Sequence, residues 1–176
     1  MGCIKKISGL SCPEGIAAEV ELPSFHSLDS KQWIVVLDGL ADPGNLGTLL
    51  RTALALNWEG IFLTPSTVDP FNDKAIRASK GACFLIPLQQ GSYEELDLLI
   101  KKRSQNCFVA DMQGEDLYTL PPLSSAILIL GNEAKGASWY SKEKGRALSI
   151  PLADKMESLN VASAGAICLF NLKKKL

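Results

Sequence analysis

The sequence predicts an α/β domain built on a mostly parallel sheet. Two observations carry this. Short, fully apolar, β-branched runs such as Trp33-Ile-Val-Val-Leu37 and Ala126-Ile-Leu-Ile-Leu130 read as strands buried on both faces. Segments with helical spacing alternate with these runs, as βαβ units require. In such sheets ligands bind beyond the carboxyl ends of the strands.

Residues 1–30 are the least regular stretch and read as an arm and linker ahead of a domain spanning 31–176. Within the arm, Gly15-Ile-Ala-Ala-Glu-Val-Glu-Leu22 has the pattern of an edge strand, and Pro23 to Lys31 that of a linker. Trp33–Leu37 is the first strand. Asp38 to Asn45 forms a loop with Asp-Pro-Gly-Asn turn chemistry, in which Asn45 is placed to cap the following helix. Leu46 to Asn57 carries apolar residues at Leu46, Leu49, Leu50 and Ala53, the spacing of a helix face. Arg51 lies about 140° around the wheel from that stripe and faces away from the core.

Gly60–Thr64 is the next strand, and Phe71–Gly81 a helix with Lys74, Arg77 and Lys80 along one edge. Cys83–Pro87 reads as a strand, Ser92–Ser104 as a helix and Asn106–Ala110 as a strand. Asp111 to Ser125 reads as irregular. Ala126–Leu130 is a strand, Gly131–Ala137 a loop, Ser138–Lys144 a short helix and Arg146–Ile150 the last strand. Pro151 ends that strand. A polar loop then runs into a helix of small residues from about Leu159 to Leu172, with Ser158 at the expected N-cap.

Composition bounds the function. The chain has 176 residues, of which 47% are apolar and 21% charged, so one sizeable core is expected. The net charge of −1 gives no compositional support for a dedicated nucleic-acid binder, although a local basic patch is compatible with it. The five cysteines are odd in number and form no C-x-x-C pair, as in a protein of a reducing compartment. A single histidine, His26, excludes two-histidine metal sites, and no metal is expected. No apolar run reaches the ~20 residues of a membrane span, and the N-terminus lacks a signal-peptide core.

Three strand-end loops stand out. The first is Asp42-Pro-Gly-Asn-Leu-Gly-Thr-Leu-Leu-Arg51; a capped helix with a solvated arginine accounts equally well for those residues. In the second, Gly131-Asn-Glu-Ala-Lys-Gly136, the lysine precedes the second glycine, which does not fit P-loop spacing; Glu133 is a functional carboxylate or a partner of the helix dipole. In the third, Glu157-Ser-Leu-Asn160, Ser158 serves as a plain cap or as part of a site.

Taken in order, these loops resemble the motifs of the SpoU (TrmH-type) branch of the SPOUT methyltransferases. The first motif stands as Asn45-Leu-Gly47-Thr-Leu-Leu-Arg51-Thr-Ala53, the second as Leu128-Ile-Leu-Gly131-Asn-Glu133-Ala-Lys-Gly136, and the third as Ile150-Pro151 followed by Glu157-Ser-Leu-Asn160-Val161. Ile76-Arg77-Ala-Ser79-Lys-Gly81-Ala is similar to a further family stretch. The resemblance covers about residues 33–170. Asn57 and Ala134 stand where glycine is common in the family, and Ala162 where serine is frequent.

The resemblance implies a deep C-terminal trefoil knot, an exception to the rule against knots. It implies S-adenosylmethionine as methyl donor, held around Leu130, Gly131, Ile150, Leu152 and Leu159, and transfer of the methyl group to a ribose 2′-hydroxyl of tRNA or rRNA. Arg51, Asn45, Glu133, Ser158 and Asn160 would form the catalytic set, and Arg77, Lys80 and Lys135 would meet RNA phosphates. It further implies a homodimer, and an intracellular, reducing setting: the cytoplasm, or an organelle if a transit peptide was removed. Many relatives carry a separate N-terminal RNA-binding domain, where only some 30 residues precede the domain here. A non-catalytic scaffold retaining the fold, or an enzyme methylating a base nitrogen, are the alternatives.

Overall fold

Six parallel strands form one sheet in the order β3-β2-β1-β5-β4-β6: β1 (Trp33–Asp38), β2 (Gly60–Leu63), β3 (Leu88–Gln90), β4 (Cys107–Asp116), β5 (Ala126–Gly131) and β6 (Arg146–Ser149). The structure is a computed structural model and describes residues 18–102 and 106–173. The connecting helices are α1 (Pro43–Ala55), α2 (Asp73–Ser79), α3 (Tyr93–Lys101), α4 (Trp139–Lys144) and α5 (Val161–Leu172).

The central strand explains the apolar runs. Trp33, Val35 and Leu37 of β1 join the core under α1 and α5, while Ile34 and Val36 pack on the other face with Leu96, Leu99 and Ile100 of α3. A strand covered on both faces has no polar side to show. β5 follows the same alternation and pairs with β1 from Trp33↔Ala126 to Asp38↔Gly131. The first and second loops therefore leave neighbouring strand ends at the same level.

Two helix contacts depend on the absence of a side chain. A Cβ on Gly47 would lie 2.4 Å from the carbonyl oxygen of Ala75, so the close approach that this glycine permits is made by α2. A Cβ on Gly165 would lie 2.5 Å from Leu49 and 2.8 Å from Leu130, which explains the small-residue helix α5 seated against α1 and β5. The indole N–H of Trp58 donates to the carbonyl of Leu169 and ties that helix down.

Several expectations need correction. The segment Cys83–Pro87 is not a strand: Ala82–Phe84 makes a 3₁₀ turn and β3 begins at Leu88. Lys80 and Gly81 both take left-handed backbone (φ 52° and 84°), ending α2 abruptly and spending the next residues on the turn. The stretch after Ala110 is more ordered than expected, since β4 continues to Asp116 across a bulge. Residues 18–22 are not a strand, and the first part of that expected strand lies outside the described residues. Pro23–Lys31 is no loose linker: His26 N–H donates to the carbonyl of Leu88, and Leu28 is wholly buried. Asn57, where a glycine was the common residue, has φ 57°, a left-handed conformation that asparagine tolerates.

Candidate active site

Each loop owes its position to a polar residue at a strand or helix end. Pro43 starts α1, but the helix is capped by Asp42, whose carboxylate accepts from the N–H of Asn45 at 2.8 Å; Asn45 is not the cap. Asp42 also pairs with Lys74 of α2, again at 2.8 Å. The side chain of Asn45 is thereby left free for other partners. At the far end of the chain α5 is capped by Asn160, not Ser158. Its amide oxygen accepts from the N–H groups of Ala162 and Ser163. The cap falls two residues later than expected because Asn160 accepts from both of those amides, while Ser158 stays in the preceding loop.

The loop after β5 closes on itself. Asn132 and Gly136 exchange backbone hydrogen bonds at 2.9 Å, and the Asn132 amide oxygen accepts from Ala134 N–H and Lys135 N–H. A Cβ on Gly131 would stand 2.0 Å from the backbone nitrogen of Ala137. The glycine is required by its own loop folding back on it.

Glu133, on the turn of that loop, joins all three motifs. Its carboxylate accepts from the N–H of Ala41, the N–H of Asp42 and the side-chain amide of Asn45, each at 3.1 Å. The oxygen of that Asn45 amide accepts from the side-chain amide of Asn160, also at 3.1 Å. Partial burial works against the charged form of Glu133, but its hydrogen bonds outweigh this and hold the carboxyl below its ordinary value.

A buried carboxylate that sequence reading missed supports the same loops. Asp38, at the end of β1, is 2% exposed and accepts from the Tyr93 hydroxyl and the Ser138 N–H, both at 2.8 Å. Burial opposes its charge, and the bonds from Ser138, Ser141 and Tyr93 overcome that and lower its pKa. A lone acid closing an otherwise apolar run was the available signal.

Beyond the carboxyl ends of β5 and β6, and beside the bulge of β4, lies a cleft of about 470 Å³. Leu130, Gly131, Ile150, Leu152 and Leu159 line it, as do Glu133, Lys135 and Ser158. The Ser158 hydroxyl makes no hydrogen bond to any described residue. Asn45, bonded to the lining residue Glu133, and Asn160, bonded in turn to Asn45, stand at its edge. Arg51, exposed on α1, lies outside the lining and has no ion pair among the described residues. Arg77 and Lys80 are also outside it, and Arg77 is paired with Asp73 at 2.8 Å. Asp111, Met112, Gln113 and Lys142 line the cleft and were not expected to.

The fold and the cleft define an α/β domain with a cleft at the carboxyl ends of parallel strands, the place where such sheets bind ligands. The SpoU rRNA Methylase family matches residues 32–170, and the chain belongs to that family. It is 34% identical over 163 residues to the 23S rRNA (guanosine(2553)-2′-O)-methyltransferase of Bacillus subtilis, covering 92% of this chain and 65% of that protein. An uncharacterized tRNA/rRNA methyltransferase of Synechocystis is 33% identical over 98% of this chain and 65% of its own length. Among solved structures, an AdoMet-bound rRNA methyltransferase from Sinorhizobium meliloti superposes with a TM-score of 0.79 at 33% identity, over 87% of this chain and 62% of that one. The chain thus spans a little under two thirds of the length of these relatives.

Proposed function

We propose that the chain transfers a methyl group from S-adenosylmethionine to a ribose 2′-hydroxyl of tRNA or rRNA. The observation that carries this reading is the convergence of the three motifs: Glu133, Asn45 and Asn160 form one hydrogen-bonded chain at the edge of the strand-end cleft. The names of the relatives support the reaction class, since those proteins are ribose methyltransferases of ribosomal RNA.

The cleft suits the cofactor. Its volume falls in the range of small-molecule sites, and its walls combine apolar side chains with loop backbone. Leu130, Gly131, Ile150, Leu152 and Leu159 would hold the cofactor, which when bound supplies a methyl group activated by a sulfonium. Among the described residues no group of side chains could hold a metal ion.

The remaining work belongs to the chain. Glu133 and Asn45 keep the first turn of α1 in place, and with it Arg51 two turns further along. A guanidinium offers five N–H donors in a planar fork and no acceptor, so the role of Arg51 is to clamp a phosphate of the target nucleotide and orient the 2′-hydroxyl. Ser158, whose hydroxyl is uncommitted, arranges the substrate beside the cofactor. Lys135 at the cleft mouth, with Arg77 and Lys80, meets RNA phosphates.

The reading extends to a homodimer, supported by the apolar Phe170 that α5 leaves exposed, and to the C-terminal trefoil knot that the family resemblance implies. It places the catalytic domain at residues 31–176 in an intracellular, reducing setting. No helix among the described residues is long and apolar enough to cross a membrane.

Calorimetry with S-adenosylhomocysteine tests the cofactor. Micromolar binding is expected, with loss in Ala164→Trp, which fills the cleft from α5. A folded chain that binds nothing at millimolar ligand would favour a scaffold. With RNA in hand, Arg51→Lys should lower kcat at least tenfold with cofactor affinity unchanged; near-full kcat would rule out the clamp. Nucleoside digestion of the product distinguishes ribose from base methylation.

A further inference from the structure

β4 is interrupted at a specific place. Ala110 and Glu115 both stand opposite Leu148 of β6, so residues 111–114 leave the ladder as a bulge. Bulges of this kind re-aim side chains next to binding sites. This one is built tightly. A Cβ on Gly114 would lie 2.3 Å from the backbone of Ala147 and Leu148, so only glycine returns the chain to the sheet there. The Ser149 hydroxyl donates to the carbonyl of Gly114 at 2.9 Å and fastens the return.

The bulge turns Asp111, Met112 and Gln113 into the cleft. Asp111 lies two residues beyond Val109, whose partner on β5 is Ile129; Gly131 lies two residues beyond Ile129. The carboxylate thus sits level with the start of the second motif. It is oriented from two sides, accepting from the Gln113 N–H at 3.0 Å and pairing with Lys142 of α4 at 2.8 Å.

The cleft holds two carboxylates, Asp111 and Glu133. Glu133 is turned to the 41–45 loop by three donors. Asp111 has two. A carboxylate offers about four lone-pair positions, so Asp111 retains capacity for two more donors. A vicinal diol presents two hydroxyl donors side by side, and a fixed acid beyond a strand end is a recurrent partner for the ribose of a nucleotide cofactor.

We propose that Asp111 is a cofactor-binding residue that accepts hydrogen bonds from the ribose hydroxyls of the adenosine moiety, with the 111–114 bulge as the device that aims it. The proposal rests on the cofactor reading given above. Lys142 orients the acid and is not itself the reader of the diol. Asp111 thereby sets a preference for ribose over 2′-deoxyribose in the cofactor.

The test is a cycle between protein and ligand, read by calorimetry with S-adenosylhomocysteine and its 2′-deoxyadenosyl analogue. Wild type should bind the ribose ligand at least tenfold more tightly than the deoxy ligand. Asp111→Ala should lose a similar factor for the ribose ligand and bind the two within about twofold of each other. Lys142→Ala removes the ion pair and trims the cleft wall but leaves the Asp111 carboxylate, so affinity for both ligands can change together while the discrimination is kept, which separates direct recognition from a merely structural clasp. Discrimination retained in Asp111→Ala, or abolished equally in Lys142→Ala, would overturn the proposal. Wild type that binds both ligands without discriminating also overturns it while leaving the cofactor reading intact. Wild type that binds neither overturns that reading itself.

Discussion

The side-chain amide of Asn160 donates to the amide oxygen of Asn45 over 3.1 Å, although 115 positions separate them in the chain. Each end of this contact serves a helix start: Asn160 caps α5, and Asn45 lies in the first turn of α1. Glu133 completes the chain from the third loop. The three loops are therefore coupled, and a loss in one is felt in the others.

Asn45→Ala should lower stability by about 1 kcal/mol, the usual net worth of a partly exposed hydrogen bond, and Asn160→Ala by somewhat more because a helix cap is lost as well. The double variant should cost less than the sum, since the two residues share a bond. Denaturant melts of the four proteins measure this. Strict additivity would mean that the Asn45–Asn160 contact carries no coupling.

Asp38 makes stability sensitive to acid. Its folded pKa is below the ordinary carboxylate value, so its contribution is complete above that value and is lost as pH falls through the folded one. Tyr93→Phe removes a donor to this buried carboxylate. The variant should be destabilised by about 1–3 kcal/mol at neutral pH and should unfold at a higher pH on the acid side than wild type. Acid titrations followed by circular dichroism check both points; coincident acid midpoints would contradict the assignment.

Gly131→Ala should be costly despite its small size. The new methyl group would meet backbone atoms of Gly136 and Ala137, which cannot rotate away. A loss of about 1–3 kcal/mol is expected, or about 2–12 °C in Tm for a chain of this length. Gly136→Ala meets open space but has φ 71°, so its cost should be smaller and due to backbone strain alone. Thermal melts that rank the two variants in the opposite order would show that the loop is not packed in this way.

RNA affinity should fall steeply with salt if Lys135, Arg77 and Lys80 meet phosphates. Lys135 forms no ion pair among the described residues, whereas Arg77 is held by Asp73. Lys135→Ala should therefore reduce the slope of log K against log salt by about 0.7–0.9, and Arg77→Ala by less. Filter binding at four salt concentrations gives the slopes; an unchanged slope for Lys135→Ala would place the RNA elsewhere.

The thiols give an independent check on the core. Burial pushes Cys107 and Cys168 up to about 12. Neither should react with a thiol reagent at pH 8 in the native protein, because only about one in ten thousand is ionised there. Mass spectrometry after brief labelling locates the modified positions, and rapid native modification of either residue would show that the packing between sheet and helices opens readily.

The sequence by itself determined the architecture and the strand ends beside which the cleft lies. Runs such as Trp33–Leu37 must be strands covered on both faces, because every side chain in them is apolar; helices between such strands force parallel pairing, and parallel strands put the ligand at their carboxyl ends. The motif residues also named the loops that meet. Only the tertiary structure decided which polar atom serves which partner. Asp42 and Asn160 cap their helices instead of Asn45 and Ser158, because a cap is chosen by where the chain turns into the helix, and several residues near each start had suitable side chains. The 111–114 bulge was invisible in the sequence for a related reason. It exists only as a mismatch in register between β4 and β6, and register is a property of two strands together, not of either alone.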